Sequence, residues 1–102
     1  WLAMSSRNAY LSPEERRRAL VLWRTLRGIA EAFDAGQYDA VELEQLGWEI
    51  LATEPEVQVD YLAIVDPHRL EPVAVAEQDT IVAIAARVGG TRLIDNVILG
   101  VS

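Results

Sequence analysis

The first helix is predicted by apolar residues that recur every three or four positions after Ser12. Ser12 suits the N-cap, Pro13 the first helical position, and the two glutamates that follow oppose the helix dipole. We predict a helix that begins at Pro13 and stops at Gly36. Its apolar stripe consists of Ala19, Leu22, Trp23, Leu26, Ile29, Ala30 and Phe33. We interpret Trp23 and Phe33 as core residues rather than as an aromatic binding site.

The second helix is predicted to start after Asp39, which suits an N-cap, and to run to about residue 53, because Pro55 forbids continuation. Its apolar residues occupy two nearly opposite sides. One side carries Leu43, Leu46 and Ile50, and the other carries Val41, Trp48 and Ala52. We therefore expect this helix to be sandwiched or to border a contact surface.

Beyond Pro55 the pattern changes to that of strands. Residues 57–65 predict a strand covered on both faces over much of its length. Residues 72–76 predict a short second strand, and residues 80–88 a third, β-branched one. Residues 91–99 fit either a final strand or an ordered tail. The predicted fold class is α+β, with two N-terminal helices followed by a small three-stranded antiparallel sheet.

Length and composition limit the class of protein. The chain has 102 residues, of which 51% are hydrophobic and 25% charged, as expected for one globular domain. No apolar run approaches the roughly 20 residues that a membrane span needs. The absence of Cys excludes disulfides and thiolate metal sites and fits a reducing compartment.

The charge pattern argues against nucleic acid as a partner. Nine cations, all of them Arg, face sixteen acidic residues, and the net charge is −7. However, Arg16, Arg17 and Arg18 follow Arg7 closely, so we expect the amino-terminal end to be electropositive. This polarity favours an anionic ligand at that end.

Three further features have simpler explanations than catalysis or ligand binding. Asp60 lies within an apolar strand, so we expect a partner such as Arg87 or Arg92. His68 lies in a turn and is assigned no function. The glycine pair at 89–90 lacks the Gly-Lys-Ser/Thr ending of a phosphate-binding P-loop, which favours a tight β turn.

The tetrapeptide Met4-Ser5-Ser6-Arg7 is the strongest candidate for a binding site. Hydroxyl groups and backbone N–H groups donate to phosphate oxygens, and an Arg guanidinium matches them with two parallel hydrogen bonds. By itself Ser-Ser-Arg is a weak signal, because such tripeptides are common in solvated termini.

The tetrapeptide belongs to the first of three blocks that resemble one family. These blocks are LAMSSRNAYLSPEER at residues 2–16, VDYLAIVDP at 59–67 and ARVGGTRLIDNV at 86–97. In this order and spacing they closely resemble the carboxy-terminal domain of the pantothenate synthetases, the pantoate–β-alanine ligases. The resemblance covers the chain from end to end.

The resemblance implies that residues 1–102 form the lid domain of a nucleotidyl-transferase-like ligase. The family enzyme condenses pantoate with β-alanine through a pantoyl-adenylate intermediate, using ATP with Mg²⁺ in the cytoplasm. An amino-terminal Rossmann-like catalytic domain, absent from this chain, would bind most of the ATP, the Mg²⁺ and both other substrates.

The same resemblance assigns roles within the tetrapeptide. Ser5 and Ser6 would donate to the β- and γ-phosphates, and Met4 would contact the nucleotide. Arg7 would be catalytic, because it would offset the charge that grows as pyrophosphate departs. No metal ligand is predicted in this chain.

We expect the isolated chain to be inactive, since most of the pocket would lie on the other domain. The alternative is a non-catalytic interaction or dimerisation module that keeps the lid fold and uses the two-sided second helix. Exposed apolar surface also favours self-association as a homodimer.

Overall fold

A computed structural model describes residues 12–100 as two helices packed on one face of a three-stranded sheet. In chain order the elements are α1 Pro13–Asp34, α2 Ala40–Leu51, β1 Gln58–Val65, β2 Ile81–Val88 and β3 Thr91–Ile98. The strand order is β1-β2-β3, and both neighbouring pairs are antiparallel. Helix α1 lies over β2 and β3, whereas α2 lies over β1. The predicted α+β fold is confirmed.

Helix α1 has the predicted bounds. It begins at Pro13 and is followed by Gly36, whose φ of 110° favours glycine. Its buried side contributes Leu22, Leu26 and Ile29 to the core. Phe33 packs at the margin of that core, edge-to-face with Tyr38.

The prediction that Trp23 is a core residue was wrong. Its side chain is half-buried and lies outside the cluster of buried residues. The guanidinium of Arg27 lies 5.2 Å from the centre of the Trp23 ring, one turn further along α1. Trp23 lies at the border of the apolar stripe of α1, so its ring lies beside the core and packs under the Arg27 guanidinium.

Helix α2 approaches the sheet closely because it carries a glycine at the contact. A Cβ atom on Gly47 would lie 2.7 Å from Leu62 Cδ2 and 2.9 Å from Ile29 Cδ1. Asp39 caps the helix as predicted, while the helix ends at Leu51, two residues earlier than expected. The outward side of α2 exposes two large apolar residues among polar ones, since Val41 and Trp48 are 61% and 42% exposed.

The prediction of a strand at residues 72–76 was wrong. This segment forms only isolated bridges, in which Pro72 pairs with Val65 and Val75 pairs with Asp39. It crosses from the edge of β1 to the start of α2, so it bonds one element after the other instead of following either. The third strand of the sheet is β3, which decides the alternative left open for residues 91–99.

Strand β1 is covered on both faces only in its second half. Leu62, Ile64 and Val65 are buried, whereas Asp60 and Tyr61 are exposed. The register shifts between Val59 and Tyr61, so Asp60 occupies a β-bulge.

Within residues 12–100, no helix is both long and apolar enough to cross a membrane.

Candidate functional site

The candidate tetrapeptide, Met4 to Arg7, lies outside the described residues. The structure does describe the surface to which it is joined, the amino-terminal end of α1. There the Ser12 hydroxyl accepts the Glu15 N–H at 3.1 Å, and the Glu15 carboxylate accepts the Ser12 N–H at 3.0 Å. This reciprocal capping box satisfies two backbone donors and fixes the first turn of the helix.

The hairpin between β2 and β3 packs against this cap. Gly89 has a φ of 62°, and a Cβ atom added there would collide with the Glu15 carboxylate. The predicted tight turn at residues 89–90 is thus confirmed, and glycine serves both the turn and the close approach. The start of α1 and the tip of the hairpin form one end of the domain.

The basic patch expected at this end is largely compensated by acids. Arg18 lies 2.6 Å from Glu56 and 3.5 Å from Glu14, and Arg17 lies 3.7 Å from Glu14. Arg16 is exposed. The electropositive end predicted from the Arg run is therefore weaker than expected, because glutamates from α1 and from the segment before β1 neutralise two of the three charges.

A second charged group lies beside the same hairpin. Asp60 Oδ2 accepts Arg92 Nε at 2.9 Å and lies 3.5 Å from Arg87 Nε. The hydrogen bond from Arg92 and the charge of Arg87 outweigh desolvation and lower the pKa of Asp60. The predicted pairing is confirmed with both arginines. The Asp60 side chain is only partly buried, since 31% of it is exposed.

Asp95 is a buried acid that the sequence analysis missed. It is 6% exposed and lies opposite Ile84 on the face of the sheet that packs against the helices. Its Oδ1 accepts the Asn96 N–H at 2.8 Å, whereas its buried Oδ2 has no hydrogen-bond partner within residues 12–100. Burial raises the pKa of Asp95. The alternation along β3 could have identified it, had that segment been assigned as a strand.

Shallow cavities open on the described surface. The cavity of about 270 Å³ lies between α2, β1 and residues 72–73. The cavity of about 210 Å³ is lined by Trp23, Leu26, Arg27, Ala30 and Val97. The cavity of about 370 Å³ is lined by Arg17, Leu20, Trp23, Arg24 and Glu54. In the described part of the chain, no three His, Cys, Asp or Glu side chains gather as metal ligands.

His68 lies in an exposed turn organised by Asp66. The backbone N–H groups of His68 and Glu71 donate to the Asp66 carboxylate at 2.9 and 3.3 Å. The imidazole has no part in this arrangement.

The described residues thus offer a capped helix end, a β2–β3 hairpin that packs against this cap, and two charge clusters. Together these can position and orient a chain that enters at Ser12.

Comparison with known proteins identifies the family. The family model described as pantoate-beta-alanine ligase matches residues 1–98. Relatives named pantothenate synthetase from Koribacter versatilis and Acidobacterium capsulatum are 49% and 52% identical over 98 and 99 residues. These matches cover 96% and 97% of this chain, but only 34% and 33% of the relatives.

The fold agrees with that comparison. A crystal structure of the pantothenate synthetase from Thermus thermophilus superposes with a TM-score of 0.86 at 41% sequence identity. The superposition covers 92% of this chain and 34% of that protein. The chain spans about a third of the length of the relatives that it matches. It belongs to the pantoate-beta-alanine ligase family.

Proposed function

We propose that residues 1–102 are the carboxy-terminal, ATP-binding lid domain of a pantothenate synthetase. The complete enzyme would condense pantoate with β-alanine in the cytoplasm, with ATP and Mg²⁺. The observation that carries this proposal is family membership over nearly the whole chain, combined with coverage of only a third of the relatives. The nucleoside pocket, the metal site and the other substrate sites would then lie on an amino-terminal Rossmann-like domain.

Within the lid, the tetrapeptide would bind the triphosphate. Ser5 and Ser6 would donate hydroxyl and backbone hydrogen bonds to the β- and γ-phosphates, and Met4 would pack against the nucleotide. When the pantoate carboxylate attacks the α-phosphorus, the P–O bond to the β-phosphate breaks and pyrophosphate leaves. Arg7 would offset the charge that develops on that leaving group.

The capped end of α1 supports this role, because hydrogen bonds fix the point at which the described chain begins. Four residues separate Arg7 from Ser12, and Ser12 is held by two hydrogen bonds to Glu15. Because Gly89 packs against Glu15, a movement of the sheet and helices would carry the start of α1 with it. Closure of such a body over the adenylate would exclude water and suppress hydrolysis of the intermediate.

Mixing the two parts tests the division of labour. The 102-residue chain alone should release no pyrophosphate from ATP and pantoate, and a separately expressed amino-terminal domain should be nearly inactive. Release on mixing would support the proposal. Full activity of the amino-terminal domain without the chain would contradict it.

Arg7→Ala tests the proposed catalytic residue in the complete enzyme. Loss of one charged group that stabilises the transition state should slow pyrophosphate release in a single turnover by about 10²–10³-fold. Arg69→Ala is the matched control, because Arg69 is an exposed arginine in the Asp66 turn and lies outside both the tetrapeptide and the basic run at residues 16–18. Equal rates in the two variants would remove Arg7 from the mechanism.

One observation favours a second candidate, a non-catalytic interaction or dimerisation module. The outward side of α2 exposes Val41 and Trp48, which are 61% and 42% accessible. A homodimer through this surface should be weakened by Trp48→Gln in sedimentation equilibrium. An unchanged monomer at all concentrations would count against the module.

A further inference from the structure

The two edge strands of the sheet differ greatly in how well they are protected against pairing with a strand from another chain. The β1 edge has a bulge at Asp60, and residues 71–73 bond to its end: Val73 N–H donates to the Ile64 carbonyl at 3.1 Å. Strand β3 pairs with β2 in one unbroken register over eight residues and contains neither Pro nor a bulge. Within residues 12–100, β3 is the other edge of the sheet. A long regular edge of this kind can accept a strand from a second copy.

Asp95 lies in the middle of this edge and points inward. Its neighbours Ile94 and Asn96 are exposed, whereas Asp95 is 6% exposed and shares a row with the buried Ile84 and Leu62. One carboxylate oxygen, Oδ2, is buried without a hydrogen-bond donor among the described residues. An unsatisfied charged oxygen is costly, so this arrangement opposes stability instead of supporting it.

Symmetry restricts how two copies can join along β3. Two antiparallel edges related by a two-fold axis need that axis perpendicular to the sheet, so both copies keep their helices on the same side. Residues directly opposite each other point to the same face. An inward residue must therefore face an inward residue, and the pairing must be centred on a residue rather than between two residues.

Under this rule the two longest pairings of Thr91–Ile98 are centred on Ile94 or on Asp95. Centring on Asp95 places the two Asp95 carboxylates directly opposite, with Cβ atoms about 5 Å apart. Centring on Ile94 places them diagonally, roughly 7–8 Å apart. In both pairings two like charges would share the buried face and lose their remaining contact with water.

We propose that the inward carboxylate of Asp95 keeps the β3 edge closed to a second copy of this chain. The charge does not block folding of one copy, since the edge leaves it a residual contact with solvent. It opposes the addition of a second edge, which would bring a second carboxylate to the same face. Inward-pointing charged residues are one of the means by which sheet proteins avoid edge-to-edge association.

Asp95→Asn in the 102-residue chain tests the proposal, because it removes the charge and leaves the side-chain shape. The variant should fold at neutral pH with no loss of thermal stability. Its self-association constant, measured by sedimentation equilibrium, should rise at least about tenfold. Backbone amides of β3 should exchange more slowly with deuterium as the concentration increases, which would place the new contact at this edge.

Asp34→Asn is the matched control, because it makes the same charge change at an exposed position at the end of α1. It should leave association unchanged. Equal association of both variants would mean that net charge is responsible and would overturn the proposal. So would an Asp95→Asn variant that stays monomeric, one that associates without protecting β3, or one that is less stable than the parent.

Discussion

Gly89 lies directly against the carboxylate of Glu15, joining the tip of the β2–β3 hairpin to the cap of α1. The same carboxylate accepts the Ser12 N–H at 3.0 Å. One glutamate therefore completes the helix cap and forms the contact surface for the hairpin. Residues far apart in the sequence thus define the point at which the amino-terminal segment joins the domain.

Gly89→Ala should destabilise the domain through this contact. Alanine at a positive φ costs about 1–2 kcal/mol, and the new Cβ would displace Glu15 from the cap, which costs about 1 kcal/mol more. We expect the free energy of unfolding to fall by about 2–3 kcal/mol in urea titrations.

Gly90→Ala is the control for that substitution. A Cβ atom on Gly90 meets no other atom within 4 Å, and the residue has no positive φ. Its effect should stay within about 0.5 kcal/mol. Similar losses at both glycines would show that the hairpin turn, rather than its contact with Glu15, sets the stability of this end.

The helix starts could be predicted from sequence because their determinants are local. Ser12, Pro13 and Glu15 form a complete cap signature within four residues, and Asp39 likewise caps α2 through its own backbone neighbours. The β2–β3 hairpin was partly visible for the same reason, as a glycine pair after a β-branched run. Such features need no knowledge of distant contacts.

What the sequence could not show depends on long-range contacts. Residues 72–76 have the composition of a strand, but the Ala76 N–H donates to the Tyr38 carbonyl and the Val73 N–H to that of Ile64, two different elements. The direction in which Asp95 points follows from the β3 register with β2. The tetrapeptide, Met4 to Arg7, was proposed from resemblance, and its role stays a prediction.

The Gly47 contact predicts a second pair of glycine substitutions. A Cβ on Gly47 would press on Leu62 and Ile29, which are 7% and 0% exposed and have little room to move. Overpacking costs about 1–3 kcal/mol, against a gain of about 1 kcal/mol in helix propensity. We expect Gly47→Ala to lower the free energy of unfolding by up to about 2 kcal/mol.

Gly28→Ala should behave differently, although its Cβ would lie 2.6 Å from Ile50 Cδ1. Ile50 is half-buried, so the free end of its side chain can turn away. The helix-propensity gain of about 1 kcal/mol then offsets most of the cost. Thermal denaturation should rank Gly28→Ala above Gly47→Ala; the reverse order would contradict the close packing of α2 on β1.

The Asp60 cluster predicts a specific loss of stability in acid. Its pKa is lowered chiefly by the hydrogen bond from Arg92, so the folded state binds fewer protons than the unfolded state just below pH 4. The stabilisation is present above the ordinary pKa of 3.8 and is lost as the pH falls through the lower, folded value. Asp60→Asn should therefore reduce the free energy of unfolding at pH 7. It should also make that free energy fall less steeply as the pH is lowered.

Arg87→Ala is the informative partner variant for this prediction. Arg87 lies 3.5 Å from Asp60, further than Arg92 at 2.9 Å, so its removal should shift the acid limb less than Asp60→Asn does. Chemical denaturation between pH 2 and 7 gives both curves. If Asp60→Asn left the decrease of the free energy of unfolding in acid unchanged, the Asp60 cluster would not stabilise the fold.

Asp95 predicts a pH dependence of the opposite sign. Burial raises its pKa, so the folded state binds more protons than the unfolded state above pH 3.8, and this carboxyl reduces stability as the pH rises towards its folded pKa. Asp95→Asn and the parent should therefore unfold with similar free energies near pH 3. At pH 7 the variant should be more stable than the parent, because its amide carries no charge that burial desolvates. Subtracting the parent's free energy of unfolding from that of the variant at each pH isolates the effect of Asp95. Asp60 and Asp66, whose pKa values are lowered, are present in both proteins, so their contributions cancel. A difference curve that stays flat from pH 3 to 7 would show that the Asp95 carboxylate is solvated or paired in solution.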